Sequence, residues 1–336
     1  MTARVGVIGA GAWGTALAQA LASDGSEVLL WARETELVDE INTSRTNSLF
    51  LPSANLAKSI IATNHLSDLA ALPVLVVVTP AQFVSPVLSG LPASLPGGQR
   101  DLVLCAKGIE AGTGRLMADV ARAAAPSASL AVLSGPTFAH EVAAGLPTAV
   151  TLACEGGEAQ WQRLAPLLAR PTLRPYYSDD IVGAEIGGAV KNVLAIACGV
   201  VEGLGLGQNA RAALIARGYA EMLRFGLSRG ARAETLSGLC GLGDLVLTCS
   251  STSSRNFSLG KALGEGRSAA EALSSKNSVA EGAHTAPVLA ELAQRDDVSM
   301  PIVEAVCRLL AGKAPARAVV SDLLSRPLKA ELGDNA

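Results

Sequence analysis

Up to Asp180, short apolar runs alternate with longer stretches rich in Ala and Leu. The runs Val5–Ile8, Glu27–Trp31, Val74–Val78, Asp101–Cys105, Leu130–Leu133 and Ala149–Ala153 predict strands. Weaker strand signals lie at Ser59–Ala62 and Leu173–Tyr177. Strands this short and this uniformly apolar are buried on both faces, and helices between them place them in a parallel sheet. Past Asp180 the strand signals stop and the helical period takes over. Helices are expected over Ala184–Val201, Ala210–Arg229, Asn256–Leu263, Thr285–Gln294, Pro301–Leu310 and Pro315–Leu324. The chain therefore reads as two domains, residues 1–180 and 181–330. Ser178-Asp179-Asp180 supplies an acidic helix start at the join. The last residues, Gly333–Ala336, are expected to fray.

The first strand runs into Gly9-Ala10-Gly11-Ala12-Trp13-Gly14, followed by a helix-like stretch from Thr15 to Ala22. In this pattern Gly9 makes a tight turn, Gly11 admits a pyrophosphate close to the backbone and Gly14 lets helix pack on strand. Free N–H groups at the helix start then face the anion. This position between strand and helix makes the fold an α/β class: an N-terminal Rossmann, doubly wound, mostly parallel sheet followed by an all-helical C-terminal domain. The second strand ends at Arg33-Glu34. An acid there accepts the ribose 2′-hydroxyl of NAD, and an Arg accommodates the 2′-phosphate of NADP. Both residues are present, so NADP or NAD is expected, with NADPH favoured through Arg33. The bland reading leaves both merely solvating a strand end.

Ligands of open parallel sheets sit beyond the carboxyl ends of the strands. Thr79, Lys107 and Ser134-Gly135-Pro136-Thr137 all follow strands and are candidates on that ground. His140 lies just beyond with no partner in sequence and is read as structural. The 336 residues carry a net charge of −3, which makes no field to recruit nucleic acid, so an anionic substrate needs a local cationic site. Six cysteines without a CxxC pair fit reduced thiols in a cytoplasmic protein and no zinc or other metal site. No apolar stretch is expected to span a bilayer, because Lys191 breaks the longest one.

In the helical half, Ile186, Val190, Leu194 and Ala197 form one apolar stripe that Lys191 and Asn192 interrupt. Gly187, Gly188 and Ala195 beside Lys191 leave room for a second element or a ligand. Such a lysine suits proton transfer, or its stem packs while its ammonium reaches water. Asp244, in GLGDL, is placed to cap a helix and to orient Lys191 by a charge-assisted hydrogen bond, two compatible roles. Ser254-Arg255-Asn256 then opens a helix with donors suited to phosphate, the alternative being a Ser-rich loop.

The segments GAGAWGTALA, RTNSLFLP, CAKGIE, LSGPTFAHE, EIGGAVKNVLAIACGVVEGLGLG, GLGDLVLTCSSTSSRN and VAEG occur in order across almost the whole chain. Together they resemble the bacterial type of NAD(P)-dependent glycerol-3-phosphate dehydrogenase. The resemblance implies reversible reduction of dihydroxyacetone phosphate to sn-glycerol 3-phosphate, feeding phospholipid synthesis. It implies Lys191 as the proton donor and acceptor. Lys107, Gly135, Thr137, Asp244, Ser254, Arg255 and Asn256 join Lys191 in holding substrate. Cofactor contacts are implied for Gly9, Gly11, Trp13, Gly14, Arg33, Phe50, Lys107, Ala139, Arg255, Val279 and Glu281. Ala12, Phe50 and Thr137 stand where the family commonly has Ser, Tyr and Ser; the first removes a pyrophosphate hydroxyl and bears on cofactor affinity only, the second keeps the ring and the third keeps a hydroxyl. A related 3-hydroxyacid or 6-phosphogluconate-type dehydrogenase and a non-catalytic NADPH sensor are the competing readings. A small phosphate substrate, no nucleic acid, no membrane insertion and a homodimer complete the expectation.

Overall fold

The computed structural model describes residues 5–91, 99–274 and 280–327. The described residues form two compact units. One comprises residues up to Lys107 together with Arg115–Glu185. The other comprises Gly108–Gly114 and the residues from Ile186 onward. The division falls inside a helix, between Glu185 and Ile186.

In the first unit, strands β1 (Val5–Ile8), β2 (Val28–Trp31) and β3 (Ile60–Thr63) are linked by helices α1 (Ala12–Leu21) and α2 (Thr35–Ser44). Then follow β4 (Val74–Val77), α3 (Val84–Ser89), β5 (Asp101–Leu104), α4 (Met117–Ala124), β6 (Ser129–Ser134), α5 (Ala139–Ala143), β7 (Thr148–Cys154), α6 (Gly157–Leu168) and β8 (Leu173–Ser178). The eight strands make one sheet ordered β3-β2-β1-β4-β5-β6-β7-β8. The chain leaves β1 towards β2 on one side and returns to β4 on the other. That reversal puts a crevice beyond the carboxyl ends of β1 and β4, where ligands of doubly wound sheets bind. β1 and β4 are buried at every position, as their unbroken apolar runs require.

The sheet is parallel except between β6 and β7, where Ala131 pairs Cys154 and Ser134 pairs Thr151 in antiparallel register. This agrees with the expected mostly parallel sheet, and β7 is the strand that departs from parallel pairing with its neighbour β6. The β6–β7 connection carries only the five-residue α5, about 7 Å of helix, which packs against α1. A parallel return must travel back along a six-residue strand of about 20 Å, so β7 runs the other way. Helix α1 begins at Ala12, earlier than the expected Thr15, because the end of the glycine motif is its first turn. Its far end is capped by Arg170, whose Nε and Nη2 donate to the Leu21 carbonyl at 3.1 and 2.6 Å.

The long helix α7 (Ile181–Gly203) follows. It is long and apolar enough to cross a membrane, with mean hydropathy 1.5, so Lys191 does not break it as expected. Within that window 89% is buried inside the protein, which makes it a core helix. The second unit continues with α8 (Gly207–Ser228), α9 (Ala233–Ser237), a π-helical turn at Leu239–Gly243 and α10 (Asp244–Thr248). It ends with α11 (Arg255–Gly264), α12 (Ala269–Ser274), α13 (Glu281–Arg295), α14 (Pro301–Leu310) and α15 (Ala316–Leu324). Among the described residues this unit is all helical. Gly333–Ala336 lie outside the described residues.

Two helix starts lack a capping side chain of their own and borrow a buried carboxylate. Leu116 stands at the N-cap of α4, and the Ala118 N–H instead donates to Glu185 Oε1 on α7 at 2.7 Å. Met300 stands at the N-cap of α14, and Glu221 on α8 accepts from the Ile302 and Val303 N–H groups at 2.8 and 3.3 Å. Burial raises Glu221 from 4.5 to about 7 and Glu185 from 4.5 to about 8, against the lowering effect of those N–H donors. The folded chain thus holds a proton on Glu185 that the unfolded chain has already released. Its contribution to stability is complete below pH 4.5 and is lost as pH rises towards 8, about 3 kcal/mol by pH 7. Glu185→Gln keeps the acceptor oxygen and cannot ionise. Thermal unfolding between pH 5 and 8.5 is expected to show the variant gaining on the wild type as pH rises. A difference in Tm independent of pH would refute that account.

Candidate functional site

The glycine loop forms a cradle in which each glycine has a separate cause. Gly9 has φ +112°, and a Cβ on it would lie 3.2–3.3 Å from the Val78–Thr79 backbone at the end of β4. A Cβ on Gly14 would lie 1.8 Å from the Gly9 carbonyl oxygen, so only glycine lets α1 start beside β1. A Cβ on Gly11 would meet nothing within 4 Å. Gly11 is the extended N-cap of α1 and brings no side-chain cap. The helix start therefore has open space in front of its N–H groups, which suits an anion.

The surroundings carry polar atoms that the described residues leave unsatisfied. The Thr79 hydroxyl beyond β4 and the Ser134 hydroxyl at the end of β6 are buried without a hydrogen-bond partner among the described residues. The Trp13 indole N–H is buried without an oxygen or nitrogen acceptor and lies beside the Cys105 thiol. Burial pushes that thiol up to about 12, against the nearby Lys107 charge, so it is inert as a nucleophile. Open space at Gly11 and orphaned hydroxyls at the ends of β4 and β6 fit a dinucleotide lying along the carboxyl ends of the strands.

Three further expected residues of this unit converge. Lys107 Nζ and the Thr137 hydroxyl both donate to the Gly135 carbonyl, at 3.1 and 3.2 Å. Ala139 opens α5 immediately beyond. Phe50 is half-buried against the core. Arg33 is exposed, and its Nε and Nη2 hold Glu34 Oε1 at 3.0 and 2.7 Å. His140 is exposed, stacked on Phe138, in keeping with a structural role.

In the second unit the informative cluster is buried. Lys191 Nζ donates to Asp244 Oδ1 at 2.9 Å and to Thr248 Oγ1 at 2.8 Å. The Thr248 hydroxyl in turn reaches Asp244 Oδ1 at 3.1 Å. Lys191 is 6% exposed and Asp244 is wholly buried. Asp244 is the first residue of α10, whose N-cap is Gly243, so it orients Lys191 and does not cap. The space beside Lys191 is partly filled by protein, since a Cβ on Gly187 would lie 2.5 Å from the Cys240 carbonyl oxygen of the π-helical turn.

Ser254 is the N-cap of α11, its hydroxyl accepting from the Phe257 N–H at 3.2 Å. Arg255 is exposed at the first helical position. Asn256 is buried and bridges two helices. Its Nδ2 donates to Asn192 Oδ1 at 2.9 Å, and its Oδ1 accepts from the Gly282 N–H at 3.0 Å. That bond ties the start of α13, and so the half-buried Glu281, to the residue next to Lys191. Val279 lies outside the described residues. Thr248 and Asn192 were not singled out as site residues from sequence, although Thr248 sits one helical turn after Asp244 and Asn192 adjoins Lys191. Among the described residues, no group of three or more His, Cys, Asp or Glu side chains comes together as a metal site.

Comparison with known proteins assigns both halves of the chain to one family. Residues 4–160 match the N-terminal model of NAD-dependent glycerol-3-phosphate dehydrogenase, and residues 180–321 match its C-terminal model. Glycerol-3-phosphate dehydrogenase [NAD(P)+] of Novosphingobium aromaticivorans is 73% identical, covering 98% of this chain and 99% of its own. The protein of that name from Erythrobacter litoralis is 70% identical, with 98% of each chain covered. The crystal structure of glycerol-3-phosphate dehydrogenase from Coxiella burnetii superposes with a TM-score of 0.90 at 39% identity, covering 96% of this chain and 98% of that one. With both halves matched in order along nearly its full length, the chain belongs to the NAD-dependent glycerol-3-phosphate dehydrogenase family.

Proposed function

We propose that the buried Lys191–Asp244–Thr248 cluster is the acid–base centre for reversible, NAD(P)H-dependent reduction of dihydroxyacetone phosphate to sn-glycerol 3-phosphate. The observation that carries this is a lysine held by two fixed acceptors inside an otherwise apolar helix core. Lys191 Nζ gives its proton to the substrate carbonyl oxygen as that oxygen gains charge, and recovers it in the reverse direction. Bound NAD(P)H supplies the hydride to the carbonyl carbon. Asp244 and Thr248 fix the Nζ position and balance its charge. Lys107 and the Thr137 hydroxyl, gathered on the Gly135 carbonyl, bind substrate. Ser254, Arg255 and Asn256 receive the phosphate at the start of α11, where a cation and helix N–H groups combine. Anchoring the phosphate fixes the carbonyl and lowers the entropic part of the barrier.

The cofactor is held at Gly9, Gly11, Trp13 and Gly14, by Phe50 and Ala139, and by Arg255, Val279 and Glu281 of the helical half. Arg33 takes the 2′-phosphate after leaving Glu34, and NADPH is the favoured reductant on that ground. The product supplies the backbone for glycerophospholipids. The enzyme works in the cytoplasm as a homodimer.

The test is a panel of phosphate ketones and 3-oxoacids with NADPH and NADH, followed by absorbance, for wild type and Arg33→Asp. Turnover only on dihydroxyacetone phosphate supports the substrate, and preference for a 3-oxoacid overturns it. Loss of a charge-assisted phosphate contact is expected to lower the NADPH/NADH ratio of kcat/KM about tenfold or more. An unchanged ratio removes Arg33 from that role.

A further inference from the structure

Asn47 is fully buried, and every polar atom of its amide is used. Its Nδ2 donates to the Ala10 carbonyl at 2.9 Å and to the Thr15 hydroxyl at 2.8 Å. Its Oδ1 accepts from the Phe50 N–H at 3.0 Å. Thr15, also fully buried, donates its own hydroxyl proton to the same Ala10 carbonyl at 3.1 Å. One side chain thus ties the middle of the glycine loop to the segment that carries Phe50.

Ala10 and Gly11 share a planar trans peptide, so the Ala10 C=O and the Gly11 N–H point in opposite directions. Two buried donors hold that carbonyl inward. The Gly11 N–H is therefore turned outward, on the residue whose missing Cβ leaves open space. A backbone donor aimed in advance binds an anion without the cost of reorienting at the moment of binding. The same amide sets the backbone of Phe50 through its other end.

We infer that Asn47 is a positioning residue for the cofactor, holding the Gly11 N–H and Phe50 in their binding geometry at once. This rests on the reading of the glycine loop as the dinucleotide cradle. Asn47 touches neither reactant, so its effect falls on cofactor affinity and leaves the proton-transfer centre alone. Because it aims at the pyrophosphate and not at the 2′-phosphate, NADPH and NADH are affected alike.

The experiment measures NADPH and NADH dissociation constants by fluorescence, steady-state constants and Tm for full-length wild type, Asn47→Asp, Thr15→Val and Gly11→Val. Asn47→Asp keeps the size but sets a carboxylate oxygen against the Ala10 carbonyl. Both cofactors are expected to bind about tenfold more weakly. The KM for dihydroxyacetone phosphate and kcat at saturating cofactor stay within about twofold. Thr15→Val removes one of the two donors without changing shape and is expected to weaken both cofactors in parallel by a smaller factor, which decides the matter should Asn47→Asp not fold. A lowered Tm with unchanged cofactor binding in the folded variants means a merely structural Asn47 and overturns the inference. Gly11→Val fills the opening. If it loses NADPH binding while Asn47→Asp and Thr15→Val bind normally, the Asn47 inference alone fails. If Gly11→Val binds NADPH like wild type, the loop is not the cradle and both readings fall.

Discussion

Lys191→Ala is expected to lower kcat for dihydroxyacetone phosphate reduction by about a thousandfold, the usual range for loss of a positioned general acid. NADPH affinity should be nearly unchanged, because the glycine loop that forms the cradle belongs to the other unit. The variant also takes the Lys191 charge away from Asp244, which is wholly buried and bonded to Thr248 as well. An uncompensated buried carboxylate costs about 3–5 kcal/mol, so part of the loss risks being loss of fold. Lys191→Met with Asp244→Asn separates the two effects. The pair is removed together, the shape is nearly kept and stability recovers, while kcat stays low. Rates measured well below each Tm decide it. Normal turnover in the folded double variant would remove Lys191 from the acid–base role, whatever the single variant does.

Much of this was legible in sequence because the responsible signals are local. β1 and β4 are unbroken apolar runs, and a strand buried on both faces has to read that way. The glycine loop was legible because each glycine answers a backbone constraint within a few residues. Lys191 stood out as a charge in a helix that is otherwise apolar for several turns. What escaped is non-local or lacks a period. The antiparallel β7 follows from the shortness of α5, and helix boundaries are the weakest part of any pattern reading. The Leu239–Gly243 turn is π-helical and glycine-rich, so it has no apolar period to find. Glu185 and Glu221 look like surface acids until the packing shows each capping a distant helix whose own N-cap position holds an apolar side chain. Asn47 is an ordinary loop Asn in sequence, and only its three buried hydrogen bonds mark it.

The second large effect is expected at glycines with no part in the chemistry. Helices α7 and α11 meet backbone to backbone. A Cβ on Gly260 would lie 1.9 Å from the Ile196 carbonyl oxygen, and one on Gly199 would lie 2.0 Å from the Phe257 carbonyl oxygen. One turn further along, Gly264 and Gly203 repeat the arrangement, at 2.5 Å from the Val200 oxygen and 2.3 Å from the Lys261 oxygen. These neighbours are main-chain atoms, so no side chain can rotate away and the helices themselves must part. Overpacking a core commonly costs about 1–3 kcal/mol where side chains can yield, and backbone contacts at this distance lie above that range. Gly260→Ala is accordingly expected to lose about 4 kcal/mol or more and to lower Tm by roughly 10 °C. Because α11 starts at Ser254–Arg255 and Asn256 is bonded to Asn192, the same displacement should raise the KM for dihydroxyacetone phosphate. The proposed proton donor on α7 would keep its own bonds to Asp244 and Thr248. Gly266, at φ +94° with nothing near its Cβ direction, is the control: there Ala costs only backbone strain of about 1 kcal/mol. Calorimetry on the two variants distinguishes helix contact from a general intolerance of side chains at glycine. Equal losses at both positions would show that the α7–α11 approach is not what these glycines are for.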